Sequence, residues 1–168
     1  MTKLFLSLHV LAAILAVGPV TVAASMFPSA LRRAHGGSGG GDALGTLRLL
    51  HRICRVYAAL GLAVPVFGFA TAGSLGVLGD TWLIVSVILT AGAAAVLTLL
   101  VVPAQGRELS ALVEGAGTGT GAGAGVATGA ESVAHAAGRL AMATGVFNLL
   151  WATVTVLMIV RPGSTTGA

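Results

Sequence analysis

Charge is scarce in this sequence. Lysine, arginine, aspartate and glutamate together make up 8% of its 168 residues, whereas a water-soluble domain carries about 25%, because its surface must face water. So few charges do not cover a water-facing surface, and lipid is expected to cover most of this one. Cysteine is nearly absent as well. Cys54 is alone, so an internal disulfide, a CxxC metal site and a dithiol redox pair are all excluded. Aromatic residues are only 5% of the chain, too sparse to stack along bases, and the arginines flank apolar stretches instead of forming a broad basic face. The isoelectric point near 10.7 therefore does not indicate a nucleic-acid partner. The acidic partner it fits is a bilayer with anionic lipids in its inner leaflet. Carboxylates are scarce too, and no Ser–His–Asp set, HExxH or paired-carboxylate pattern occurs, so no catalytic residue is assigned and a non-enzymatic role is expected.

What is present is hydrocarbon. Hydrophobic residues make up 56% of the chain and the mean hydropathy is +0.98. A helix that crosses the bilayer needs roughly 20 apolar residues, since the hydrocarbon core is about 30 Å thick and each residue rises about 1.5 Å. Four stretches qualify, at about residues 4–27, 54–74, 81–103 and 138–160. They predict one all-α transmembrane domain over residues 1–168, an antiparallel up-down four-helix bundle with both termini on the same side. The first stretch also reads as a signal peptide, with Lys3 ahead of an apolar run and "VAAS" at 22–25 as a cleavage site. Charge decides against that reading. Arg32, Arg33, Arg48, Arg52, Arg55, Arg107 and Arg139 all fall in the first and third loops of a four-span chain or at the span ends that border them, with only Lys3 and Arg161 on the other face. The positive-inside rule then places both termini outside. All basic residues except Lys3 are arginine, and glycine and alanine abound, a composition that suggests a high-GC bacterial source and hence the inner membrane.

Two glycine-rich segments, 35–42 ("HGGSGGGD") and 115–130, are expected to be flexible loops, while residues 72–80 form a short turn between spans two and three. The second segment is not a phosphate-cradling loop. Its glycines fall on odd positions from 115 to 125, which breaks the GxGxxG spacing, and no strand precedes it.

In lipid, helices associate through small residues and polar contacts, so small residues at helical spacing mark the expected inward faces. These are His9, Ala12, Ala16, Pro19 and Ala23 in span one, and Ala58, Gly61, Pro65, Gly68 and Ala72 in span two, where Pro65 predicts a kink. Span three offers Ser86, Thr90, Ala94 and Thr98, and span four Ala137, Ala141, Thr144, Asn148, Ala152 and Thr155. The intramembrane polar set is therefore His9, Ser86, Asn148 and Thr155. His9 is expected to hydrogen-bond the hydroxyl of Ser86 or Thr155, and Asn148 to bond between helices. The sharper alternative makes His9 a haem or copper ligand, since an ionisable group inside a membrane is a functional candidate by default. Arg48, Arg52 and Arg55 surround His51 and are expected to bind lipid headgroups. A bis-histidine haem through His51 and His135 is the lesser reading of that end. Asp80 is expected to cap span three, and Trp82 and Trp151 to act as interface or packing aromatics.

The stretches "LHVLAAILAVGP", "RVYAALGLAVPVFGFATA", "WLIVSVILTAGAAAVLTLLVVPAQ" and "LMIVRPG" resemble a small bacterial four-span integral-membrane family of unknown function, of the domain-of-unknown-function 2269 type. The resemblance covers the chain except its glycine-rich insertion, and implies a multi-pass bundle with no assigned activity. "LHVLAAILAVG" is also similar to the first span of copper-resistance membrane proteins and of the membrane protoporphyrinogen oxidase family. That similarity implies a metal or haem role for the histidine at position 9, but the rest of the ligand pattern is missing. The leading expectation is a non-enzymatic membrane protein without cofactor that packs with itself or with a membrane partner protein. The alternative is a haem- or copper-handling protein that uses His9.

Overall fold

The computed structural model describes residues 2–36, 40–118 and 126–163, and all its secondary structure there is helical. The elements are α1 (Thr2–His35), α2 (Gly40–Leu60), α3 (Ala63–Leu75), α4 (Thr81–Ala95), a π-helical stretch (Val96–Val101), α5 (Val102–Thr118) and α6 (Val126–Val160). They join into four rods, each long and apolar enough to cross a membrane: Lys3–His35, Asp42–Leu75, Thr81–Gly115 and Gly129–Val160. The fold is a four-helix bundle.

Each interruption of a rod has a local chemical cause. Pro65 has no N–H to give to the carbonyl of Gly61, so a regular helix cannot run through this point. The chain answers with two non-helical residues, Gly61 and Leu62, and the Gly61 carbonyl accepts from Val64 N–H at 3.1 Å instead. The kink expected from Pro65 is thus a break between α2 and α3. At the end of α3, Gly76 adopts φ 71°, a left-handed conformation that glycine takes without steric cost. Val77 N–H then reaches back to the Ala72 carbonyl at 3.2 Å, closing the helix end. Asp80 precedes α4 but its side chain does not cap the helix. Its carboxylate accepts the indole N–H of Trp82 at 2.9 Å. The Trp82 ring in turn lies 5.5 Å beneath the Arg161 guanidinium, tying the end of α6 to the start of α4. Helix also reaches into both glycine-rich segments, with α1 ending at His35, α2 beginning at Gly40, α5 running to Thr118 and α6 starting at Val126. Residues 37–39 and 119–125 lie outside the described set.

α1 is the central rod, packing along α2 and α3 on one side and α6 on the other; α4 and the π stretch lie against α6, and α5 returns to α2. The main core fills the arginine-rich half, where Phe27 and Leu31 of α1 meet Leu47 and Cys54 of α2, Val101, and Ala137 and Phe147 of α6. Among the described residues the opposite half holds a smaller cluster of Ala72, Trp82 and Leu83. Leu11, Ile14, Leu15, Val66, Leu99, Leu149 and Ile159 point outward.

Two inward faces differ from those expected. In the third rod Ser86 is buried and Thr90 half-buried, but Ala94 and Thr98 are exposed; Ala93, Leu97, Val101 and Gln105 are buried instead. Those four are spaced by four residues each time, a step that advances about 40° around an α-helix and would carry Gln105 about 120° away from Ala93. The π stretch between them widens the turn and absorbs that drift. In α6 the buried face is Ala137, Leu140, Thr144, Phe147 and Val154, while Ala141, Ala152 and Thr155 face outward. Bulky Leu140 and Phe147 fill the space between rods, so the small residues beside them are turned away.

Substitution and deletion at Thr98 separate these effects. Thr98 is exposed and only bonds back to the Ala94 carbonyl, so Thr98→Ala is expected to stay within about 0.5 kcal/mol of the parent. Deleting Thr98 removes the extra residue of the π stretch and rotates Gln105 out of the seam. Thermal unfolding in detergent is expected to show a far larger loss for the deletion than for the substitution.

Candidate functional site

Many hydroxyls among the described residues satisfy themselves. Thr46, Thr71, Thr90, Thr98, Thr153, Thr155 and Ser86 each donate to the carbonyl four residues earlier. That arrangement leaves neither Ser86 nor Thr155 its proton for His9. Thr155 faces outward besides. Among the described residues, hydrogen bonds that reach between helices include three sets.

The first is His9. Its Nδ1 lies 2.9 Å from the Val64 carbonyl oxygen at the start of α3. A carbonyl only accepts, so Nδ1 carries a proton and donates it to Val64. The partner expected among hydroxyls is therefore a backbone carbonyl on the second rod, beside the break that Pro65 creates. Gly68 makes room for the ring: a Cβ there would lie 3.0 Å from His9 Cε1 and 3.2 Å from Nδ1. The small-residue face of span two thus has a specific use. One turn of α3 is shaped to receive one imidazole.

The second set was not anticipated. Gln105 is fully buried between α5 and α2. Its amide oxygen lies 3.3 Å from His51 Nδ1 and its amide nitrogen donates to Cys54 Sγ at 3.6 Å. His51 and Cys54 are three residues apart on α2 and share a face, and Gln105 bridges them. His51 thus faces the bundle through this bond, while Arg48, Arg52 and Arg55 are exposed around it. An amide near the end of an otherwise apolar run was the available signal. The α-helical periodicity hid it, because only the π stretch turns Gln105 inward.

The third set lies at the α1–α6 seam. Asn148 donates to the Ser25 hydroxyl at 3.4 Å, the interhelical bond expected of it. Its amide oxygen and the hydroxyl of Thr144, one turn away, are buried without a partner among the described residues. Among the described residues no three His, Cys, Asp or Glu side chains gather into a metal-ligating set. His35 and His135 each point a ring nitrogen at their own helix, toward Leu31 and Glu131.

The His9 clasp makes a prediction through coupling. Gly68→Val pushes branched carbons into the imidazole and is expected to lower the unfolding temperature. In a His9→Ala background the same change should be nearly silent, because the ring it collides with is gone. A coupling energy above about 0.5 kcal/mol in this double-mutant cycle is the expected result; strict additivity would mean that the ring and the glycine do not meet.

With the geometry in view, the comparisons add no relative: no protein-family model, no curated protein and no solved structure matches this chain.

Proposed function

We propose that this is a multi-pass bacterial inner-membrane protein, with both termini outside, that acts without catalysis by packing against itself or a membrane partner protein. The observation that carries the reading is the outward face of the bundle. Leu15, Val66, Leu99 and Leu149 are each more than 60% exposed, one on each of four apolar rods, a surface that water would penalise and lipid would not. The charge distribution supports the orientation, since seven arginines fall at the rod ends assigned to the cytoplasm. The resemblance to the small four-span family of unknown function points the same way.

The second reading, haem or copper handling through His9, draws on one feature. The Val64 carbonyl holds the Nδ1 proton, an arrangement that in the neutral ring leaves Nε2 as the nitrogen able to bind a metal.

Fractionation and reporters test the first reading. The protein is expected to stay with the lipid through an alkaline carbonate wash. A reporter active only in the cytoplasm should work when inserted at Ser38 or Gly121 and fail when fused after Ala168; the opposite pattern overturns the orientation. Absorption and elemental analysis of detergent-purified protein test the second. A Soret band or stoichiometric copper, lost in His9→Gln while the bundle stays folded, would replace the proposal with the alternative.

A further inference from the structure

The strongest unassigned feature is an open groove of about 440 Å³ at the end of α1, lined by Ser29, Arg32, Arg33 and Gly36. We propose that it seats the phosphodiester of one anionic phospholipid, whose acyl chain lies along the outward side of α1. The proposal rests on the reading that the bundle spans a membrane.

Three observations lead there. Both guanidiniums are exposed, and among the described residues neither has a hydrogen-bond or ion-pair partner. Each offers a planar fork of N–H donors that matches two phosphate oxygens. They must supply the attraction themselves, because α1 ends here and the negative end of its dipole opposes an anion. Second, Leu15, Val22 and Met26 are exposed at helical spacing above Arg33, so the groove stands at the foot of an apolar column. Third, Ser25 and Asn148 join α1 to α6 beside that column. There α6 presents Ala141 and Gly145 outward, with open space over the glycine. Bulk on one helix beside small residues on the other leaves a trough of the kind an acyl chain fills.

The combination selects the ligand. A free phosphate satisfies the guanidiniums but leaves the apolar column unused. A zwitterionic lipid fills the column but brings a cation beside two arginines. An anionic phospholipid fits both. It is a different surface from Arg48, Arg52 and Arg55, which lie on α2.

The test uses the full chain, purified from carbonate-washed membranes in a neutral detergent and titrated with phosphatidylglycerol, phosphatidylcholine or inorganic phosphate. Native mass spectrometry counts the lipid retained. Phosphatidylglycerol is expected to bind at least about tenfold tighter than phosphatidylcholine, by the usual contribution of an arginine near a lipid surface. The double variant Arg32→Gln/Arg33→Gln should lose that preference, and Arg32→Lys/Arg33→Lys, which keeps charge without the fork, should recover only part of it. Arg107→Gln/Arg139→Gln removes the same charge elsewhere at that end and should keep it. Equal retention of the two lipids overturns the proposal, as do an unaffected Arg32/Arg33 variant and an equal loss in the Arg107/Arg139 control. Displacement of lipid by an equal concentration of inorganic phosphate would identify a soluble-anion site and also overturn it. Protein released by the carbonate wash would instead refute the membrane reading, so the two failures are distinguishable.

Discussion

A backbone amide on a surface this apolar has little water to turn to, and each departure from ideal helix shows how that constraint is met. At Pro65 a donor is missing, and the break at Gly61–Leu62 gives the Gly61 carbonyl a new partner within three residues. At Gly76 a left-handed residue lets Val77 N–H satisfy a carbonyl at the end of α3. The π stretch at Val96–Val101 shifts the face of the third rod, and the N–H of Val102 at its end still finds the Leu97 carbonyl. Side-chain hydroxyls obey the same rule by bonding back to their own helices. Ser86 is the clearest case, fully buried and yet satisfied by the Trp82 carbonyl one turn away.

This makes the side chains that bond across helices informative. His9 and Gln105 both bridge rods, and both lie beside an interruption. His9 meets α3 where Pro65 has restarted the helix; Gln105 follows the π stretch that turns it inward. In each case a backbone irregularity provides the approach that a regular packed pair of helices would not, and a small residue, Gly68 or Gly106, lies under the ring of His9 or His51. Polar contacts between apolar helices average only about 0.6 kcal/mol. Their main consequence is therefore register: they set which turn of one rod faces which turn of the next.

The all-α bundle, the four rods and the kink at Pro65 were legible in the sequence, because length, hydropathy and a missing N–H act locally. The inward face of α1 was legible too, with Ala16 and Ala23 buried and His9 beside them. The face of α6 was not. Small residues mark close helix approach in general, but here Leu140 and Phe147 fill the seam and Ala141, Gly145 and Ala152 are left outside; side-chain volume across the gap decided it, and that depends on residues distant in sequence. Gln105 was missed for a related reason. Its burial needs one extra residue in a turn six residues long, and no periodicity count from an ideal helix contains it. His9 was identified as a polar group on an inward face, while its partner was not, since a backbone carbonyl carries no sequence signature.

The uneven core has a consequence for how α3 is held. Phe27, Leu31, Leu47, Phe147 and their neighbours interlock the arginine-rich half, and separating them would open cavities among fully buried side chains. At the other end α3 is held chiefly to α1, and the buried cluster shrinks to Ala72, Trp82 and Leu83. There the hydrogen bond from His9 to Val64 and the stack of Arg161 on Trp82 are the specific ties. The break at Gly61–Leu62 lies between the two halves and uncouples α3 from the rigid part of its own rod. Beyond it, α3 is positioned by the hydrogen bond from His9 to Val64 and by the packing of Ala72 on Trp82 and Leu83, so its register on α1 and α4 rests on those contacts and not on continuity with α2.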